Sequence, residues 1–167
     1  MTLAAQLLTI VPMPALAFVA MSDMAARRVP NWACVLIAGF GLATRIASGD
    51  VALSLLAAAL VFAALFFCFG RGWCGGGDVK LLTACALLVP AYAVPNLMLA
   101  VTIAGGVLGL GYLAGRIPRL HTTGPSTVPA SFIRRVCRVE AWRIRRHAPL
   151  PYACAIAAGC VFTLVIG

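Results

Sequence analysis

Long apolar runs alternate with short polar segments along the whole chain. A transmembrane helix needs about 20 apolar residues, with a usable range of about 17 to 25. Most of the runs have this length, and the second contains a single charge, Arg45. The runs are Leu3 to Met21, Trp32 to Ser48, Val51 to Phe69, Leu81 to Gly115 and Pro149 to Gly167.

The run from Leu81 to Gly115 contains no charged residue and is too long for one membrane crossing. At 1.5 Å per helical residue it is long enough for two short crossings. Pro90, Pro95 and Asn96 mark the predicted turn between them. The pattern therefore predicts an all-α fold, a polytopic membrane bundle of six transmembrane helices, over 1–167 as one domain.

The positive charges give this bundle an orientation. Lys and Arg accumulate in short loops on the cytoplasmic side of a membrane. Six crossings put twelve of the thirteen basic residues on one face and leave only Arg45 near the other, whereas five crossings would place the arginine-rich segment outside. We expect a multi-pass protein of the bacterial inner membrane, with both termini on the non-cytoplasmic side and a cytoplasmic arginine-rich loop at about 116–148.

The first run could instead be a cleaved signal peptide, since Ala15-Leu16-Ala17 loosely resembles a cleavage site. It has no basic segment before it, and Arg27 and Arg28 follow it. These flanks favour an uncleaved membrane anchor with its amino terminus outside.

Composition excludes most soluble classes. The chain is 63% hydrophobic and only 10% charged, against roughly 25% charged residues in soluble domains. The net charge is +9, and the basic residues that produce it lie mainly between the apolar runs. This position favours a role in membrane orientation and contact with anionic lipid over nucleic-acid binding.

The pattern predicts no metal or cofactor. The seven cysteines form no C-x-x-C pair, and most lie in apolar runs, where small buried side chains are expected. His121 and His147 lie in the basic loop without ligand-like spacing, so we expect solvated side chains.

The four acidic residues differ in their surroundings. Asp50 follows Gly49 in a short turn, and Glu140 lies among arginines as an expected ion partner. Asp23 closes the first predicted span and Asp78 opens the fourth, which places both at the cytoplasmic membrane boundary. Ionisable residues at membrane depth are costly and are candidates for function, although each could simply mark the end of a helix.

The flanks of Asp78 favour a functional role. Three glycines, Gly75 to Gly77, precede it. They open backbone conformations closed to other residues and allow a peptide or a helix to approach the carboxylate closely. A flexible loop before a helix that favours an acid in its first turn would give the same pattern.

Two carboxylates in one site suit peptide hydrolysis. Like charges close together do not both ionise readily, so the pair holds one proton over a broad pH range. The ionised member would take a proton from the attacking water, and the protonated member would hydrogen-bond the scissile carbonyl. Because coupled groups titrate as a pair, the two roles stay unassigned.

Three motifs together resemble the type IV prepilin peptidase family. Gly75-x-Gly77-Asp78 with Val79-Lys80-Leu81 resembles its G-x-G-D motif, and Asp23 followed by Pro30-Asn31 resembles its other aspartate motif. Pro151-Tyr152 with Ala155 to Gly159 resembles its last-helix motif, although Ala153 stands where the family often has Gly.

The resemblance implies a membrane aspartic endopeptidase that removes the basic leader of prepilins or pseudopilins on the cytoplasmic side, usually after a glycine. It implies catalytic roles for Asp23 and Asp78, a structural role for Gly75 and Gly77, and motif positions for Lys80, Pro30 and Asn31. Lys80 could equally be a snorkelling anchor at a helix start.

The chain departs from the long members of that family. It lacks their extra cytoplasmic domain and paired C-x-x-C motifs, so we expect no N-methyltransferase activity. It resembles the short form that serves tight-adherence (Flp-type) pili.

Two alternatives remain open. Another G-x-G-D protease would cut substrates within their spans. A small transporter, channel or pilus-assembly scaffold would use the aspartates to line a polar path without catalysis, but it should carry acids at several depths, and here they lie at one face.

Overall fold

The computed structural model describes residues 11–116 and 152–166. The start of the first predicted span and the arginine-rich loop, with Glu140, His121, His147 and Cys137, lie outside the described residues. That the first span is an uncleaved anchor stays a prediction.

All described elements are helical, which confirms the all-α prediction. The elements are α1 Met13–Ala26, α2 Asn31–Ser48, α3 Val51–Gly70, α4 Gly76–Leu88, a 3₁₀ turn Ala91–Ala93, α5 Val94–Arg116 and α6 Tyr152–Ile166. Two helices, α2 and α3, and the stretch Ala91–Leu113 are long and apolar enough to cross a membrane, whereas α1, α4 and α6 have 14, 13 and 15 residues. Six crossings and the positions of the termini stay predictions.

The chain divides into two compact units. That it forms a single domain stays a prediction. The first unit contains residues up to Gly105 and from Pro151 onward, and it holds both candidate aspartates. The second unit is 106–150, of which the structure describes only the end of α5.

Glycine ends two of the helices in the same way. Gly49 after α2 and Gly72 after α3 have φ values of 78° and 74°, the left-handed region that glycine adopts without steric cost. At α2 the N–H of Asp50 donates to the Arg45 carbonyl and that of Gly49 to the Ile46 carbonyl. This is a Schellman motif, so Gly49 and Asp50 form the predicted turn.

The long apolar run is divided at Pro90, as predicted. Because proline has no N–H, a helix does not continue through it, and α4 ends at Leu88. The prediction that Pro95 and Asn96 belong to the turn was wrong, since both lie in the first turn of α5. Proline is tolerated there because the first N–H groups of a helix have no partner within the helix.

Helix α4 lies at the centre of the first unit. It packs against α2, α3 and α6, and most of its side chains are buried. Its core includes Leu81, Cys85 and Leu88, joined by Ile37 of α2 and Ile156 of α6. By contrast, α3 exposes large apolar side chains such as Leu60 and Phe66, as expected of a lipid-facing helix.

The described cysteines are thiols rather than disulfides. Cys34, Cys85 and Cys160 are buried, as the sequence predicted, whereas Cys68, Cys74 and Cys154 are only half-buried.

The basic residues of the first unit lie at or near helix ends, and the membrane face on which these ends lie stays a prediction. Arg27 and Arg28 lie between α1 and α2, where α1 ends with Asp23 in its last turn. Lys80 lies in α4 near Asp78, whereas Arg45 lies in the last turn of α2, at the opposite end from Asn31.

A glycine sets the distance between α2 and α4. A Cβ atom on Gly41 would lie 2.8 Å from the Leu88 nitrogen and 2.9 Å from the Leu87 carbonyl carbon, both backbone atoms that cannot rotate away. Gly39, on the same helix, has nothing within 4 Å of this position.

We therefore expect Gly41→Ala to lower the free energy of unfolding by about 1–3 kcal/mol, the usual effect of overpacking a tight contact. Gly39→Ala should cause no loss, because alanine favours helix and meets no neighbour there. Thermal unfolding of both variants in detergent checks this. Equal stability of the two would contradict the close contact between α2 and α4.

Candidate active site

Asp23 is buried at the end of α1. Its carbonyl accepts the N–H of Arg27, which ends the helix in a left-handed conformation at φ 55°. Its side chain is only 7% exposed, and Oδ2 accepts a hydrogen bond of 3.2 Å from the Ala153 N–H in the first turn of α6. The N–H groups there have no partner within their helix. The start of α6 thus holds the Asp23 carboxylate in place.

Asp78 is half-buried in the first turn of α4. Gly75 is the N-cap of that helix, and its carbonyl accepts the N–H groups of Asp78 and Val79. The Asp78 carboxyl in turn interacts with the Gly75 backbone by a hydrogen bond. An acid at the third helical position that reaches back to the N-cap N–H forms half of a capping box. This arrangement fixes where the carboxyl lies.

The two carboxyl groups lie within electrostatic range of each other. The charge of Asp23 acts on the Asp78 carboxyl, together with burial and the bond to Gly75. The aspartates are 55 residues apart in the chain, and their side chains come from two different helices. The structure therefore brings together the two acids that the sequence singled out.

Tyr152 and Ala153 belong to the same site, although neither was predicted as a site residue. Asp78 interacts electrostatically with the Tyr152 hydroxyl, and Ala153 bonds Asp23 through its backbone. The signal that could have found them was the Pro151-Tyr152 motif. A backbone N–H leaves no trace in the side-chain pattern, so sequence alone could not identify Ala153 as a donor.

The glycines before Asp78 allow close contact rather than unusual backbone angles, which corrects the expectation of special conformations. Gly75 is extended, at φ −81° and ψ 145°, and the next two glycines are helical. A Cβ on Gly75 would lie 3.1 Å from Asp78 Oδ2, and one on Gly77 would lie 3.2 Å from Val29 Cγ2. The missing side chains leave room for the carboxylate and for the loop after α1.

The remaining predicted residues form a contact on another side of α4. Pro30 is the N-cap of α2, and its carbonyl accepts the Ala33 N–H at 3.2 Å. Asn31 begins α2, and its Oδ1 accepts a 3.2 Å hydrogen bond from Lys80 Nζ. Because residues two apart on a helix do not face the same way, Lys80 points away from Asp78. This bond links the starts of α2 and α4.

Cys74, next to the glycines, is a poor nucleophile. Burial raises the pKa of its thiol, and Cys68 and Asp78 raise it further. The thiol also lies 3.5 Å from the Leu65 carbonyl, to which it donates. Since the thiolate is the reactive form of cysteine, this side chain is a protonated thiol at neutral pH.

One known family matches a large part of the chain. The model of the type IV leader peptidase family matches residues 10–110, which contain both aspartates and the glycines before Asp78. The chain belongs to the type IV leader peptidase family. No curated protein and no solved structure matches the chain.

Family membership confirms the resemblance seen in the motifs and makes the chain a peptidase with a type IV leader peptidase-like activity. The long apolar helices agree with the membrane location of this family. The last-helix motif lies beyond the matched residues, and its contribution rests on the contacts of Tyr152 and Ala153.

Proposed function

We propose that this chain is an aspartic endopeptidase of the bacterial inner membrane that removes the basic leader of type IV prepilins or pseudopilins. In this proposal Asp23 and Asp78 form the catalytic pair at the cytoplasmic membrane face. The observation that carries it is the electrostatic interaction between these two carboxyl groups, which come from separate helices. The short connection between α1 and α2, where the long members of the family carry an extra domain, favours a substrate of the tight-adherence (Flp-type) pilus.

The proposed reaction uses water and one shared proton. The ionised aspartate takes a proton from a water molecule, whose oxygen bonds to the scissile carbonyl carbon. The protonated aspartate donates a hydrogen bond to the carbonyl oxygen and stabilises the charge that develops there. A proton then passes to the leaving nitrogen, the C–N bond breaks, and the products are a carboxylic acid and a free amine.

The surroundings of the pair support this chemistry. The Ala153 N–H fixes Asp23, and the start of α4 fixes Asp78, so neither carboxylate must be ordered when substrate binds. Preorganised groups of this kind lower the cost of reaching the transition state. The protonated thiol of Cys74 offers no competing nucleophile.

A cleavage assay tests the proposal directly. The purified protein in lipid nanodiscs is mixed with a synthetic peptide that has a basic leader, a glycine and an apolar helix. The masses of the products are then measured by mass spectrometry. We expect a single cleavage after the glycine. EDTA should not reduce the cleavage rate, because the proposed reaction needs no metal. The new amino terminus should stay unmethylated when S-adenosylmethionine is added.

Each alternative gives a different product. A cut inside the apolar helix would favour a protease that acts within spans, and a methylated product would contradict the expected lack of methyltransferase activity. The peptide could also stay intact although the protein is folded and a known leader peptidase cleaves the same peptide. That result would favour a scaffold or transporter.

A further inference from the structure

An apolar groove of about 590 Å³ lies between α2, α3 and α4. We call it the Lys80 groove. Several of its lining residues are alanines, and Ala59 on its α3 side is exposed. The residues that define it here are Asn31, Ala38, Ala59, Lys80, Ala84 and Leu87.

Hydrocarbon suits the walls of this groove. They are largely apolar, and the Thr83 hydroxyl already donates a 2.7 Å hydrogen bond to the Val79 carbonyl. Helices α2 and α3 are both apolar enough to cross a membrane, and Val35 and Leu55 of the groove lining are exposed. In a bilayer these side chains would meet lipid. Apolar surface there is best covered by apolar chains.

The polar end of the groove carries a positive charge. Lys80 is exposed, and its Nζ donates to the neutral Asn31 Oδ1 at 3.2 Å. An ammonium group has three N–H donors, so this bond leaves two for another acceptor and leaves the charge unneutralised. Lys80 also acts electrostatically on Cys34 in the groove wall. The charge therefore lies over the apolar groove.

The groove and the aspartate pair use different faces of α4. Lys80, Ala84 and Leu87 follow the spacing of one helical face, which lines the groove. Asp78 and Cys85, seven residues apart, share another face, on which Cys85 contacts Cys160 of α6. An occupant of the groove would thus lie beside the peptidase site and outside it.

We propose that the Lys80 groove binds an anionic phospholipid, with an acyl chain between α2, α3 and α4 and the phosphate on Lys80. Charge complementarity selects this occupant. A lysine near the membrane surface attracts anionic headgroups, whereas the basic leader of a prepilin would be repelled by it. The bound phosphate would lie beside the Lys80–Asn31 hydrogen bond, which links the starts of α2 and α4.

Native mass spectrometry of the full chain tests the lipid site. The protein is titrated with phosphatidylglycerol or phosphatidylcholine in mild detergent, and the one-lipid complex is quantified. We expect tighter binding of phosphatidylglycerol, and Lys80→Met should weaken it about fivefold, the effect of one surface lysine. Arg71→Met is the charge control, because Arg71 lies over the Phe67 ring, away from the groove lining.

A second pair of variants tests the apolar part. Ala59→Phe should reduce the binding of both lipids because the ring fills the groove. Ala64→Phe, on an exposed part of the same helix that does not line the groove, should leave binding unchanged.

Equal binding of the two lipids, equal losses in Lys80→Met and Arg71→Met, or unchanged binding in Ala59→Phe would each overturn the proposal. So would a photocrosslinking residue at position 59 that captures a prepilin peptide in place of lipid. The readout is lipid binding, so the inference stands or falls independently of the proposed catalytic pair.

Discussion

Asp23→Asn and Asp78→Asn are each expected to lower the rate of leader cleavage by about 10³-fold or more while the protein still folds and inserts. General acid and base catalysis contribute roughly 10²–10⁴-fold each. The amide has the shape of the carboxyl, and its oxygen can keep the hydrogen bond from the Ala153 N–H to position 23. It neither takes nor gives the catalytic proton, so the loss would be chemical rather than structural.

The control is Asp50→Asn, which removes a carboxyl from the N-cap of α3. It should cleave at the rate of the unchanged protein, as measured by product release from the prepilin peptide. Thermal unfolding of all three variants separates loss of folding from loss of chemistry. Normal cleavage by either a folded Asp23→Asn or a folded Asp78→Asn variant would refute the two-aspartate proposal.

The double variant sharpens this test. Groups that act as one catalytic unit show strongly non-additive losses. Asp23→Asn combined with Asp78→Asn should therefore be about as slow as either single variant. If the losses multiply, the two residues contribute independently, and a shared proton is excluded.

The helices and the pairing of Asp23 with Asp78 could be predicted from the sequence, because the few charged residues of this apolar chain mark where its helices end. Each charged residue at the edge of an apolar run marks a helix end, and Asp23 and Asp78 fall at matching edges. Short connections then bring those edges together, since α1 and α2 are joined by only four residues. The turn at Gly49 could also be predicted, because the left-handed conformation that ends α2 depends on the residue type at that position rather than on distant packing.

Details that depend on packing could not be predicted. Proline can end a helix or begin one. Pro95 lies in the first turn of α5 because the 3₁₀ turn Ala91–Ala93 completes the connection after Pro90. The tight contact of Gly41 with the Leu88 backbone depends on the path of α4, because nearby Gly39 meets no neighbour. The bond from Ala153 to Asp23 joins residues 130 positions apart through a backbone atom.

The role of the glycines before Asp78 leads to the second large effect. Gly75→Val should lower the kcat of cleavage by about 10²-fold with a smaller change in KM. A Cβ at position 75 would lie 3.1 Å from Asp78 Oδ2, so the carboxylate must move to accommodate the branched side chain. A catalytic group displaced by about 1 Å can lose 10²-fold in rate. Valine can adopt the extended backbone of Gly75, so α4 should still form.

Gly70→Val is the matched control, because nothing lies within 4 Å of a Cβ at the end of α3. Gly75→Ala should lie between Gly75→Val and the unchanged protein, since its single methyl group requires only a small shift of the carboxylate. Steady-state kinetics with the prepilin peptide and thermal unfolding measure all three variants. If Gly75→Val and Gly70→Val lose the same activity, or if Gly75→Val is fully active, then the position of the Asp78 carboxyl does not limit the rate. The glycines would then serve helix packing, through the contact of Gly77 with Val29.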